Sequence, residues 1–173
     1  MKPACWKKRI NFVVVLFLLF FTATGCNGNT GANHNLTVAP DFTLLDLNDN
    51  PVSLSDFKGR PVLINFFATY CPPCRMEMPD FVKLVDEYGD KGFTVIAISV
   101  DQNPKKVLPP FIDRLRLNFP VLMATSQVLS DYGDVYALPA SFVLDRNHNI
   151  VRHFKGMVTE DELLPLVKQI TEK

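Results

Sequence analysis

The sequence predicts an α/β domain: a mixed central sheet flanked by helices, with an extra β-hairpin at its N-terminal side. Three observations predict it. The runs VLINFFA (62–68) and FTVIAISV (93–100) are continuously apolar, as in strands covered on both faces. A helical stretch lies between them, so the two strands are expected to be parallel. Two further strand-like segments, 140–145 and 150–154, meet across the turn Arg146-Asn147-His148-Asn149. That hairpin adds antiparallel pairing and makes the sheet mixed.

Composition is compatible with one folded domain. The chain has 173 residues, 47% hydrophobic and 21% charged, which excludes a mostly disordered chain. Its formal charge is zero, but Lys2, Lys7, Lys8 and Arg9 stand without an acid in residues 1–25. Taking those four from the 18 bases leaves 14 against 18 acids, a remainder of about −4. No nucleic-acid surface is expected from that balance.

The N-terminus reads as an address. A basic start precedes an apolar run from Phe12 to Phe21, too short to cross a membrane core of roughly 30 Å comfortably as a helix. Small residues then lead to a cysteine, as in a secretory signal. Ala23-Thr24-Gly25-Cys26 resembles the bacterial lipobox, with alanine where leucine is usual. Residues 1–25 are therefore expected to be a lipoprotein-type signal or, alternatively, an uncleaved anchor. Cys26 is the lipidation candidate, and Cys5 would leave with the signal. Residues 26–38, rich in Asn and Gly, read as a flexible tether that includes His34. The domain is expected at 39–173, attached to a membrane and facing a compartment outside the cytoplasm, where disulfides persist.

Within the domain, Phe42–Leu47 alternates, Asn48-Asp49-Asn50 is a turn, and Val52–Leu54 returns as a short strand. After the strand at 62–68, a helix is expected from Pro72 to about Tyr88. Met76, Phe81, Leu84, Val85 and Tyr88 supply its apolar stripe, Pro79 is expected to kink it, and Gly89 and Gly92 end it. The strand at 93–100 leads to a helical stretch, 104–117, expected to be interrupted at Pro109-Pro110. Residues 126–132 are expected to form a turn or two of helix. Thr159, with Glu162 three residues on, predicts a capping box opening a last helix to about Ile170.

The chemistry concentrates in Cys71-Pro72-Pro73-Cys74. The pair follows a buried strand and opens a helix, whose N-terminus favours a thiolate, the reactive form of cysteine. Cys71, at the junction, is the expected nucleophile. Cys74, almost one turn in and more buried, is expected to resolve the mixed disulfide. Pro72 and Pro73 carry no N–H, so only the Cys74 amide is left to face the Cys71 sulfur. Weaker thiolate stabilisation, and a less oxidising pair, is the expected direction. A zinc site needs more ligands than this stretch holds, and His148 and His153 lie in the distant hairpin. A disulfide closing so short a loop would restrict the unfolded chain little, so a purely structural role is disfavoured.

Three segments carry a family resemblance: APDFTLLDLNDNPVSLSDFKGRPVLINFFATYCPPCRMEMP, FTVIAISVD and ALPASFVLDRNHNIVRHFKG. The chain resembles the thioredoxin superfamily over roughly residues 39–173. Within it, the chain is similar to the extracytoplasmic thiol–disulfide oxidoreductases of the TlpA and ResA type. The resemblance implies a thioredoxin-like fold, a redox-active Cys71–Cys74 disulfide and no cofactor. It also implies a cis peptide bond at Pro139 facing the cysteines, and client binding through the Leu138 backbone with Tyr70 beside the pair. Tyr70 stands where the superfamily usually has tryptophan. Asn65 stands where cytosolic thioredoxins carry a buried aspartate. Glu77 matches a family glutamate that tunes cysteine acidity or takes up its proton. Read alone, a carboxylate in the first turns of a helix could equally be a dipole-favoured surface charge.

The resemblance further implies client proteins with cysteine pairs, apocytochrome c among them, and a membrane thiol reductant that recycles the pair. Three alternatives use the same residues. An oxidase or isomerase needs only a different potential and partner. A peroxiredoxin-like peroxidase is suggested by the opening APDFTLLD. A copper or zinc carrier would need a further ligand, with His153 the nearest by type.

Overall fold

A computed structural model describes residues 37–133 and 135–172. The expected signal or anchor segment 1–25, Cys5, Cys26, His34 and the expected tether as far as residue 36 lie outside the described residues.

The first hairpin pairs β1 (Thr43–Leu45) with β2 (Pro51–Ser53) in antiparallel register. Asp46 closes its turn by accepting from the Asn48 and Asn50 amides at 2.8 and 2.9 Å. The main sheet has five strands: β3 (Val62–Phe67), β4 (Thr94–Ser99), β5 (Val121–Met123), β6 (Ala140–Leu144) and β7 (Ile150–Lys155). Their spatial order is β5-β4-β3-β6-β7. The β3–β4 and β4–β5 pairs are parallel, and the β3–β6 and β6–β7 pairs antiparallel, so the sheet is mixed as expected.

Every residue of β3 and of β4 is buried, which explains why both read as unbroken apolar runs. Alternation along the strand sends Leu63 and Phe67 into one core and Val62, Ile64 and Phe66 into the other. Asn65 shares the parity, and so the face, of Leu63 and Phe67. Three helices cover that face: α1 (Pro72–Tyr88), α2 (Pro104–Leu115) and α4 (Glu160–Thr171). The crossovers β3-α1-β4 and β4-α2-β5 step the same way across the sheet. Right-handed connections therefore put both helices on one side. The opposite face is covered by the first hairpin, a 3-10 turn (Leu54–Phe57) and α3 (Ser126–Asp131). Phe66, Tyr132 and Phe142 pack their rings there, with centroids 5.1–6.1 Å apart.

Some details depart from the sequence expectations. The buried stripe of α1 is Cys74, Glu77, Met78, Phe81, Leu84 and Tyr88, whereas Met76 is 66% exposed. Steps of three and four residues from Cys74 reach Met78 and Phe81 and leave Met76 on the outer side. As expected, α1 extends through Pro79 to Tyr88. α2 also continues through Pro109 and Pro110. Both prolines are exposed, so the carbonyls that lose an intrahelical donor are on the solvated side, while Leu108 and Phe111 hold the helix to the core. β5 was not anticipated at all. Three residues following Pro120 give too short a pattern; they pair with β4, and Leu122 makes a further antiparallel bridge to Asp46.

Local termini are as the residues suggest. α1 gives way at Gly89 to a 3-10 turn (Gly89–Lys91), and Gly92, at φ +91°, turns the chain into β4 in a conformation other residues resist. At α4 the Glu162 carboxylate accepts from the Thr159 amide at 3.0 Å and completes the capping box. At the end of the sheet where β3 begins, Arg146 donates to the carbonyls of Gly59, Lys91 and Thr171 at 3.1, 3.3 and 3.0 Å. The described chain enters at this same end. The Thr37 carbonyl accepts from Ile150 N at 2.8 Å, at the start of β7.

Candidate redox site

Cys71 emerges from the C-terminal end of β3 and stands as the N-cap of α1. It forms a disulfide with Cys74, with Cα atoms 5.3 Å apart. Cys71 is 8% exposed and Cys74 fully buried, the order expected of an attacking and a resolving sulfur. The Cys71 sulfur accepts from one first-turn amide, that of Cys74, at 3.4 Å. Pro72 and Pro73, at the first two helical positions, have no N–H to add.

The loop before Cys71 is fixed from β4. Asp101, just past the end of that strand, accepts from the Thr69 amide at 3.0 Å and the Thr69 hydroxyl at 2.8 Å. Ser99 Oγ donates to the same carboxylate at 2.8 Å. This clamp was not anticipated. A polar cluster at the C-terminal ends of parallel strands, where α/β sheets place their sites, was the available signal.

The Leu138–Pro139 peptide bond is cis. In the antiparallel β3–β6 register Phe66 pairs with Ala140, so Pro139 falls opposite Phe67 and Leu138 opposite Ala68. Both thus lie at the end of the sheet from which Cys71 emerges. The Pro139 carbonyl accepts from Gly156 N at 2.8 Å, which holds the segment to the end of β7. Leu138 is half-buried. Tyr70 is 70% exposed and offers an open aromatic face beside the pair rather than a cover over it. A groove of about 360 Å³, lined by Pro72, Arg75, Met76 and Leu115, begins at the residue after Cys71.

Glu77 is buried, not a surface charge: it is 1% exposed, one helical turn beyond Cys74. Its Oε1 accepts from Asn65 Nδ2 at 2.8 Å and its Oε2 from Val158 N at 3.1 Å. Burial pushes its carboxyl up to about 7, against the lowering effect of the two hydrogen bonds from Val158 and Asn65. Asn65 Nδ2 also donates to Ser141 Oγ at 2.9 Å. Asn65, Ser141 and Val158 thus form a polar island within the apolar core behind the disulfide, with Glu77 as its ionisable member. Of the two hairpin histidines, His148 shares a hydrogen bond with the Phe57 carbonyl at 3.1 Å. His153 stacks on Phe142 at 4.0 Å, on the sheet face opposite the cysteines.

A dithiol pair capping a helix behind a central parallel strand, with an X-Pro segment brought to the same end of the sheet, defines a thioredoxin-fold thiol–disulfide exchange protein. The comparisons narrow the class. The model of the AhpC/TSA family matches residues 36–153. The thiol-disulfide oxidoreductase ResA of Bacillus cereus is 33% identical over 172 residues, covering 95% of this chain and 98% of that protein. The crystal structure of a thioredoxin-family thiol:disulfide interchange protein from Chlorobium tepidum is 32% identical with a TM-score of 0.70, covering 79% of this chain and 97% of that one. The thioredoxin domain of a thiol-disulfide oxidoreductase from Bacteroides vulgatus is 29% identical with a TM-score of 0.69, covering 78% and 96%. This chain belongs to the AhpC/TSA family and, within the thioredoxin superfamily, to the ResA-like extracytoplasmic thiol–disulfide oxidoreductases. Its activity is thiol–disulfide exchange through Cys71 and Cys74.

Proposed function

We propose that the protein is a reductase of client disulfides, held at a membrane by its N-terminal segment, through a lipid on Cys26 or an uncleaved anchor. Residues 1–25 are the signal or anchor, 26–38 the tether and 39–173 the working domain. The Cys71 thiolate attacks a client disulfide and forms a mixed disulfide, releasing one client thiolate. Cys74 then attacks the Cys71 sulfur, and Glu77 takes up the Cys74 proton. The protein disulfide closes and the second client thiol leaves. A membrane thiol donor returns two electrons and two protons. Apocytochrome c, whose cysteines must be reduced before haem attachment, is the client class the family resemblance suggests. Tyr70 and the Leu138–Pro139 backbone contact the client segment, through groups that need no particular client side chain.

The observation that carries the reductase reading is the lone amide on the Cys71 sulfur. A thiolate so thinly stabilised makes the reduced form less stable and the pair less oxidising. The first described residues support the attachment: Thr37 is bonded to Ile150 at the end of the sheet opposite Cys71. The test is trapping. With Cys74→Ser, a disulfide-bonded peptide bearing two cysteines and a haem-attachment histidine should accumulate as a mixed disulfide at Cys71. With Cys71→Ser none should form. Equal trapping by both variants would contradict the roles assigned here.

A further inference from the structure

Asn65 is fully buried, and its amide is used on one side only. Nδ2 donates twice, to Glu77 Oε1 at 2.8 Å and to Ser141 Oγ at 2.9 Å. Oδ1 is buried and receives no hydrogen bond from the described residues. A buried carbonyl oxygen without a donor is costly, and such atoms are rare. The surroundings are apolar: Leu63 and Phe67 flank Asn65 on its strand, and Met78 and Val143 lie in the same core.

The geometry brings one latent donor near. Asn65 touches Glu77, and Cys74 precedes Glu77 by three residues on the same face of α1, about 4.5 Å along the helix axis. Cys74 is fully buried in the core that Leu63 and Phe67 enter. In the disulfide its sulfur carries no hydrogen. Reduction of the Cys71–Cys74 bond by a dithiol donor adds two electrons and two protons, and one proton goes to the Cys74 sulfur. The donor is oxidised to its own disulfide. A buried S–H is thereby created on the helix face that carries Glu77, the carboxylate that Asn65 Nδ2 holds, while Asn65 Oδ1 has no donor among the described residues.

We infer that Asn65 is a positioning residue for the redox pair, whose amide nitrogen holds the Glu77 carboxylate while its amide oxygen accepts the S–H of reduced Cys74. A hydrogen bond to the neutral thiol disfavours its thiolate. Asn65 therefore keeps Cys74 protonated and leaves Cys71 as the first nucleophile. When Cys71 enters a mixed disulfide, Glu77, fixed by the same amide, is in place to take the Cys74 proton. The order of attack is then set by a residue that does not meet the client and that holds the pair only through the neutral thiol of Cys74. This inference rests on the proposed role of Glu77 only for that last step.

The test reads the thiol itself. Full-length protein carrying Cys5→Ser, Cys26→Ser and Cys71→Ser retains a single S–H, that of Cys74. Its infrared S–H stretch, measured on the reduced protein, should lie at the lowered frequency of a hydrogen-bonded thiol. Asn65→Leu, of similar volume, should raise it to the position of a free thiol, and Asn65→Asp, which keeps an acceptor oxygen, should leave it low. Glu77→Gln should not move it. With Cys71 restored, Asn65→Leu should shift the equilibrium with a dithiol donor toward the disulfide by about tenfold, some 30 mV. A free-thiol frequency in the protein with Asn65 intact would overturn the inference whether or not Asn65→Leu folds. So would a band that moves with Glu77→Gln, or one that survives Asn65→Leu, which would assign the acceptor to another group. Failure of the Glu77 reading shows separately, as an unchanged rate of the Cys74 step in Glu77→Gln.

Discussion

Glu77→Gln removes the one ionisable group of the island behind the disulfide, and its effect can be worked out. Burial raises the Glu77 carboxyl from the ordinary 4.5 to about 7. The unfolded chain releases this proton near 4.5, and the folded protein holds it to about 7. Between those values the folded state binds more protons, so stability falls as pH rises. Below about pH 4.5 Glu77 carries no such penalty, and above about 7 the full penalty applies. Holding the proton to about 7 rather than 4.5 corresponds to about 3 kcal/mol. The substituted glutamine would not titrate. It would turn an amide nitrogen toward the donor of either Asn65 or Val158, but that cost is the same at every pH. The assay is urea unfolding of the oxidised protein from about pH 4.5 to 8, wild type against Glu77→Gln. Relative to wild type, the variant should gain about 3 kcal/mol across that range, with most of the change between about 5 and 7. A difference that stays flat, or that grows in favour of wild type, would refute the claim that burial dominates over the two hydrogen bonds at this carboxyl.

Further predictions concern the scaffold. Asp101→Ala leaves the Thr69 amide without its carboxylate partner and should lower stability by about 2–3 kcal/mol in denaturant unfolding, while slowing exchange at Cys71. Asp101→Asn should recover part of both. Arg146→Ala removes three bonds to carbonyls at the opposite end of the sheet. It should cost about 1–2 kcal/mol and leave the rate of disulfide exchange unchanged. Thr159→Ala breaks the capping box of α4 and should cost about 1 kcal/mol by thermal unfolding, with Thr159→Ser restoring most of it.

Local patterns carried most of the fold. The all-buried strands β3 and β4, the turn after β1, the β6–β7 hairpin and the capping box at Thr159 each depend on neighbours in sequence, and each appears where its residues indicated. The CPPC pair was equally legible, because strand, junction and helix are contiguous. What was not legible depends on distant partners. β5 exists because β4 offers an edge to three residues. α2 survives two prolines because Leu108 and Phe111 are held by a core whose other members lie elsewhere in the chain. The same holds for the site. Glu77 read as either functional or superficial until Val158, 81 residues away, and Asn65 were seen to enclose it. Asp101 is 32 residues from the amide it fixes. Asn65 appeared as the loss of a base. In the folded protein it donates to the buried Glu77 carboxylate.

The direction of exchange is the centre of the account, and the equilibrium reduction potential of the Cys71–Cys74 pair tests it most directly. Full-length protein equilibrated against defined thiol–disulfide buffers should give a value below about −220 mV, beyond isomerases and strong oxidants. A value near about −120 mV would make the pair an oxidant of secreted thiols. It would contradict the argument that two prolines, by withholding their amides from Cys71, leave its thiolate weakly held.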